Sequence, residues 1–356
     1  MSVLNKKTIA IIGSHGLYAK YGGWDQLVNN LAECKSQNIE YIIFNSSDTK
    51  FVKKPPKGVV VKKLLFKADG FQGFLFDFQS ILLSYFKADV LLLLGAQGMP
   101  IVPILGFFKK IKIIINIGGV EWERPQYNYL VKKYLRYCFK LSCKKSRIVI
   151  IDNEYYKRFI PESGKVVFKV IPYGGEIDQT LSVNEELIEK YPFIDKKYFL
   201  SISRSIKDNN IDELCECFTS LNSNLVLISN LSKSEYGKKI LKKYINHKNI
   251  ILIDGLYNKQ ELDLIRRKCK AYIHTHTLCG TAPSLVEMIV SSRPILSIDI
   301  PQNRFTLGHK GYFYKDFQEL HSFLDLNKGF DKLIPDIGLI STYSWQKVVN
   351  QYESLY

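Results

Sequence analysis

The chain has 356 residues, enough for two domains, and its 46% hydrophobic and 13% aromatic content excludes a disordered protein. The seven cysteines, Cys34, Cys138, Cys143, Cys215, Cys217, Cys269 and Cys279, are odd in number and scattered without a Cys-x-x-Cys. That argues against a structural zinc module and fits a reducing cytoplasm. The net charge of +16 is uneven: residues 1–172 carry 27 basic and 12 acidic side chains, the remainder 23 and 22. A basic first half beside a neutral second half implies different partners for each, with nucleic acid and anionic membrane the usual attractors.

Lys6 and Lys7 precede only Thr8 to Ile12, too short for a signal peptide and read as a first strand. A loop with Gly13, His15, Gly16, Tyr21, Gly22 and Gly23 follows, then a helix with apolar residues at Trp24, Leu27, Val28 and Leu31. The spacing is not that of a G-x-G-x-x-G fingerprint. Gly22 and Gly23 before a helix would let backbone approach a ligand closely, or simply make a turn. Glu40 to Asn45 and Val59 to Leu65 read as strands, and Phe71 to Phe86 as an aromatic-rich core helix. Val90 to Phe108 is uncharged over nearly a membrane-spanning length. Its glycines and prolines instead predict a buried strand, a loop and a short apolar helix.

Lys112 to Ile117 is a further strand, followed by Gly118, Gly119, Val120, Glu121, Trp122, Glu123, Arg124 and Pro125. Polar residues beyond the C-terminal end of a parallel strand are where α/β sheets hold ligands. Glu121 is the acid to watch there, with a solvent-facing loop carboxylate as the plain alternative. Tyr127 to Arg147 predicts a long helix with Lys132, Arg136, Lys140 and Lys144 in a stripe. Such a stripe is a solvated face or, given the charge imbalance, a surface for anionic membrane. Ile148 to Asp152 and Val166 to Ile171 close the half as strands.

Residues 173–197 read as a crossover. A second strand–helix series begins at Phe199 to Ser203, followed by Arg204, Asp208, Asn209 and Asn210 and a helix from Ile211 to Leu221. It continues through Leu225 to Ile228, Ile250 to Ile253, a helix over Lys259 to Lys268, and a strand Ala271 to His274. Then come Cys279, Gly280 and a helix start at Thr281, Ala282, Pro283 and Ser284. Thr281 suits the N-cap and Pro283 the first turn. A helix start after a glycine offers amides and a positive dipole end to a phosphate, and Glu287, a turn further in, can accept from sugar hydroxyls. An ordinary αβ unit without a ligand has the same pattern. Pro294 to Ile298 predicts a strand, Asp299 to Arg304 a polar loop in which Asp299 and Asn303 line or cap a cleft, and Trp345 to Tyr356 a terminal helix. His274 and His276 share one strand face as zinc ligands would, but no third ligand is evident, which favours packing or ligand hydrogen bonding.

The fold class expected is α/β, with two doubly wound Rossmann-like domains facing a cleft. The expected bounds are an N-terminal domain at 1–172, a linker at 173–197 and a C-terminal domain at 198–344, with helix 345–356 packing back on the first.

This organisation resembles the two-domain (GT-B) glycosyltransferases of family 4, and most closely the rhamnosyltransferase-like subgroup of bacterial capsule and cell-wall polysaccharide synthesis. Four segments carry the resemblance in order: Tyr21-Gly22-Gly23-Trp24; Gly119-Val120-Glu121-Trp122-Glu123-Arg124; Arg204 with Asp208-Asn209-Asn210; and Gly280-Thr281-Ala282-Pro283-Ser284-Leu285-Val286-Glu287. The resemblance implies a retaining hexosyl transfer, such as L-rhamnose from a dTDP donor, onto a lipid-diphosphate-linked saccharide. It implies a nucleotide sugar in the C-terminal domain, with Asn209, Asn210, Gly280, Thr281, Pro283, Ser284 and Glu287 as donor-binding residues there and Gly22 and Gly23 reaching it from the N-terminal domain. Arg204, Glu287 and Glu121 would be catalytic, with Arg204 neutralising the departing diphosphate and Glu287 holding the ribose. The acceptor side would be His15, Tyr21, Trp122 and Arg124.

The chain lacks an Asp-x-Asp pair, which fits a metal-independent mechanism with no cofactor. It departs from the family at Cys279, where many members have Glu, and at Gly118, where the subgroup has Asp; the wider family's phosphate-binding Lys falls at Asn209. These departures motivate the alternative of a non-catalytic partner subunit. The expected location is the cytoplasmic face of the membrane, approached through the basic half. Nucleic acid is not expected as a partner, because no recognition motif accompanies the charge.

Overall fold

The computed structural model describes residues 6–19, 22–50, 52–123, 127–161, 166–326 and 328–356. The chain divides into two compact units, 1–173 with 345–356, and 174–344. Each is a parallel sheet with helices on both faces.

The first unit has strands β1 (Lys7–Ile12), β2 (Ile39–Asn45), β3 (Val59–Lys63), β4 (Val90–Leu94), β5 (Lys112–Asn116), β6 (Ile148–Ile151) and β7 (Val167–Val170) in the order β3-β2-β1-β4-β5-β6-β7. Its helices are α1 (Gly23–Glu33), α2 (Gly70–Ser84), the short α3 (Val102–Leu105) and α4 (Tyr129–Lys145). The alternation of a strand sends its apolar residues to both faces. From β1, Ile9 and Ile11 enter one core with Leu27, Val28 and Leu31 of α1, while Ala10 and Ile12 enter another with Phe76, Val102 and Phe139 of α2, α3 and α4. A sheet covered on both faces reads as continuous apolar runs, which is why these strands were visible in the sequence.

The second unit has β8 (Tyr198–Ile202), β9 (Asn224–Ser229), β10 (Ile250–Asp254), β11 (Ala271–His274), β12 (Ile295–Ile298) and β13 (Tyr312–Tyr314) in the order β10-β9-β8-β11-β12-β13. Its helices are α5 (Glu185–Lys190), α6 (Ile211–Thr219), α7 (Glu235–Tyr244), α8 (Lys259–Lys268), α9 (Pro283–Val290), α10 (Pro301–Thr306), α11 (Phe317–Leu326) and α12 (Ile337–Thr342). The last helix, α13 (Trp345–Glu353), belongs to the first unit, where Val348, Val349 and Tyr352 join the α1 core. Both sheets are doubly wound, so the Rossmann-like fold class holds for each unit.

Three local expectations are corrected. Asp299 to Arg304 is not a loop: Pro301 at the first position starts α10, whose buried face carries Gln302, Asn303 and Thr306 and so disguises the helix as a polar stretch. The segment read as a linker is integral to the second unit, with Leu187, Tyr191, Phe193 and Ile194 in its core. Thr281 is not the N-cap; that position is Ala282, and Pro283 is the first helical residue.

Candidate active site

In an open parallel sheet, ligands bind beyond the carboxyl ends of the strands where the order reverses. In the second unit that point lies between β8 and β11, neighbours that wind outward in opposite directions. The two loops that leave these strands are stitched together. Asn210 Nδ2 donates to the Thr275 carbonyl at 2.8 Å, and Thr275 Oγ1 donates to the carbonyl of Asn209. The Asp208 carbonyl accepts from Thr277 N at 3.0 Å and from Thr277 Oγ1 at 2.9 Å. Asn209 Nδ2 donates to the Arg204 carbonyl at 2.8 Å, which fixes the other end of the first loop. Asn210 sits at φ 49°, a left-handed conformation that Asn tolerates better than most residues, and ends the short turn before α6.

The structure therefore brings Arg204, Asn209 and Asn210 beside the segment that leads from His274 to α9. Asn209 and Asn210 hold backbone rather than reaching outward as charges would. Arg204 is exposed, and its guanidinium acts electrostatically on His276.

At α9, Leu285 N and Val286 N both donate to the Ala282 carbonyl, closing the first turn. Thr281 is buried, and Ser284 bonds the phenol of Tyr272, which also donates to the Ile202 carbonyl at 3.2 Å. Glu287 is not a lone carboxylate. Its Oε2 pairs with Nη2 of buried Arg266, whose Nη1 lies 2.6 Å from Asp263 Oδ1, and Lys259 Nζ meets Asp263 Oδ2 at 2.6 Å. This chain of charges joins α8 to α9 and fixes the orientation of Glu287. Nothing in the sequence singles out Arg266, one of three consecutive basic residues at the end of α8.

Asp299 is held by Arg304 through two bonds of 2.5 and 2.7 Å. Asn303 is buried and donates to the carbonyls of His276 at 3.3 Å and Ile298 at 3.1 Å. His274 ends β11 and His276 lies in the loop beyond, with ring centroids 4.3 Å apart. Burial holds both imidazoles below their ordinary range. His276 falls to about 3 through burial and the charge of Arg204.

A family described as a domain of unknown function (DUF1972) matches residues 86–176. No curated protein matches. Three solved structures align along essentially the whole length. Sucrose-phosphate synthase from Thermosynechococcus elongatus has a TM-score of 0.80 at 13% identity, covering 99% of this chain and 98% of that one. HepE of Anabaena in complex with UDP has 0.73 at 13%, covering 98% of each. A trehalose-6-phosphate structure from E. coli bound with UDP-2-fluoro glucose has 0.72 at 11%, covering 98% of each. The chain shares their fold.

In the first unit the reversal lies between β1 and β4, and the loop after β1 carries His15. His15 Nδ1 is 3.4 Å from Oδ2 of buried Asp25 and Nε2 is 3.0 Å from Asp69 Oδ1. Burial alone would lower its pKa, but the two carboxylates outweigh it and raise the value to about 9. Gly22 is the N-cap of α1, extended rather than left-handed, and a Cβ there would meet nothing within 4 Å. Gly23 is the first residue of that helix.

Gly118 has φ +60°, and a Cβ on it would stand 3.2 Å from the Trp24 ring; one on Gly95 would stand 3.1 Å from the same ring. The departure at Gly118 thus belongs to the seating of Trp24. Glu121 lies in a partly exposed helical turn, Glu121–Glu123. Trp122 is buried against Phe139, with centroids 4.8 Å apart, and against Phe159. It packs as a core residue. Tyr21 and Arg124 lie outside the described residues.

Proposed function

We propose that the protein is a glycosyltransferase that takes a hexosyl group from a nucleoside diphosphate sugar bound by its second unit. The observation that carries this is the stitching of the Arg204–Asn210 loop to the segment before α9 at the sheet's reversal point. It joins the loop that carries exposed Arg204 to the segment that leads into α9, which supports a diphosphate site at this end of the sheet. Because Leu285 and Val286 turn back to Ala282, a diphosphate at this helix would meet the amides ahead of them, Ser284 the nearest.

Arg204 balances the charge that grows on the leaving diphosphate, an interaction worth on the order of 3 kcal/mol for one well-placed donor. Protein cations take the part that a metal ion plays elsewhere, and no cofactor is needed. Glu287, oriented by Arg266, accepts from the ribose hydroxyls. Gly280 and Thr281 shape the approach to the helix. The fold supports this reading, since HepE was solved with UDP-glucose as well as with UDP.

The finer reading is transfer with retention, of L-rhamnose from dTDP-rhamnose, to a lipid-diphosphate-linked saccharide at an anionic membrane, with Glu121 catalytic and His15 on the acceptor side. Two observations on the first unit support the membrane. Phe107 and Phe108, which follow α3, are 89% and 76% exposed, and Phe71, Tyr129 and Leu130 are also exposed. Lys132, Arg136, Lys140 and Lys144 lie along α4. Exposed aromatics among cations are the signature of an interfacial surface. No helix among the described residues is long and apolar enough to cross a membrane.

The test is incubation of purified protein with UDP-, GDP- and dTDP-sugars and a lipid-diphosphate-linked acceptor. Transfer from at least one donor is expected, and its loss in Arg204→Ala. Donor binding without transfer or hydrolysis would instead support the non-catalytic partner subunit.

A further inference from the structure

One ring nitrogen of His274, one of His276 and Sγ of Cys279 lie within 4.8 Å of one another. The sequence showed only the two histidines. The turn after His276 supplies the third donor by folding Cys279 back over them, and Cys279 Sγ reaches the His276 carbonyl at 3.9 Å. His274 is fully buried, and Nε2 of both rings is shielded from solvent without a hydrogen-bond partner. Buried polar atoms left in this state cost on the order of 1–3 kcal/mol each, so two side by side mark a position built for an occupant.

We propose that His274, His276 and Cys279 form a three-ligand site for a soft divalent transition metal, zinc in the first place. Zinc takes imidazole nitrogen at about 2.0–2.1 Å and thiolate at about 2.3 Å, and tetrahedral geometry then separates the donors by about 3.3–3.6 Å. The observed spread closes with side-chain shifts of about an ångström. The set contains imidazole and thiol but no carboxylate, which selects zinc-like ions over calcium or magnesium.

The scaffold is firm. Thr275 and Thr277 are tied to the Asn209 and Asp208 carbonyls, and Asn303 donates to the His276 carbonyl; the Cys279 thiol donates to Asn303 Oδ1 at 3.5 Å, a bond that is given up when the thiolate takes a metal. Such supporting bonds hold metal ligands in place. Three protein donors leave a fourth position for water or a ligand oxygen. Two neutral imidazoles and one thiolate leave a net positive site, and Arg204 adds a further positive charge nearby. Binding is therefore weaker than at a site of several thiolates. The site lies on the same loops as the proposed donor site, but its test does not depend on transfer.

The full-length protein, stripped of metal, is titrated with Co2+ and followed by absorption, and Zn2+ affinity is measured by calorimetry. The expected result is equimolar binding with a thiolate-to-cobalt charge-transfer band and tetrahedral ligand-field bands, displaced by Zn2+. Cys279→Ser removes the charge-transfer band and weakens Zn2+ at least tenfold, and His276→Gln weakens it similarly. Cys34→Ser, in the other unit, changes neither. Unchanged metal-free melting of Cys279→Ser shows that its fold is intact. Absence of the band in the wild type, or its survival in Cys279→Ser, overturns the proposal.

Discussion

Glu287 is held by Arg266: its Oε2 accepts from Nη2 of a guanidinium that is itself buried and paired to Asp263. A carboxylate proposed to grip a ribose is thus positioned by a cation from the preceding helix. Removing one member of a buried network strands the others, at a cost of about 3–5 kcal/mol. Lys259 still serves Asp263, which places Arg266→Ala at the lower end of that range. Urea unfolding checks this. Arg266→Met with Glu287→Gln should recover part of the loss, because the second change removes a charge left without its partner.

His15 gives a pH dependence of definite sign. Its folded pKa of about 9 exceeds the ordinary 6.5, so its contribution is fully present below pH 6.5 and is lost as pH rises to 9. With half-exposed Asp69 discounted, the contribution is on the order of 2 kcal/mol. His15→Gln should be less stable than the wild type at pH 6, and the difference should disappear above pH 9. A difference independent of pH would contradict the pairing with Asp25 and Asp69.

Asp77 offers a second pH test. It faces the core from α2, and burial raises its pKa from 3.8 to about 7, only partly offset by a bond from Gln97. Stability tied to its neutral form is present below pH 3.8 and is lost as pH rises through 7. Asp77→Asn should therefore stabilise at pH 8, by on the order of 2 kcal/mol, more than at pH 5. Equal effects at the two pH values would show that the carboxyl does not titrate there.

Membrane docking is checked by vesicle co-sedimentation. Phe107→Ser with Phe108→Ser should weaken binding to anionic vesicles at least tenfold, since each ring buries an apolar area worth about 1.5–3 kcal/mol. High salt should weaken the wild type further through the α4 cations. Both side chains are solvent-facing, so melting should not change. Undiminished binding would remove this surface from the account.

The parts of the fold legible in the sequence were those where one residue type announces one environment. Val90 to Leu94 is fully apolar because it is buried on both faces, and Pro283 could begin a helix but not continue one. What escaped notice depends on the fold itself. α10 buries polar residues, so its face did not stand out from a loop. β13 is three residues long, too short for a periodic signal. Arg266 and Asp263 matter because α8 lies against α9, and Cys279 because a turn returns it to the histidines. Gly118 drew notice as a missing acid, whereas its neighbour in space is the ring of Trp24.

A sugar diphosphate at the start of α9, with Arg204 beside it, is the binding event on which the proposed transfer depends. Calorimetric titration with UDP, GDP and dTDP and their monophosphates tests it most directly, in the wild type and in Arg204→Ala. At least one diphosphate should bind tenfold or more tightly than its monophosphate, and Arg204→Ala, a change at an exposed side chain, should remove most of that difference while melting without ligand is unaltered. Failure of every diphosphate to bind, or a preference that Arg204→Ala leaves intact, would contradict it.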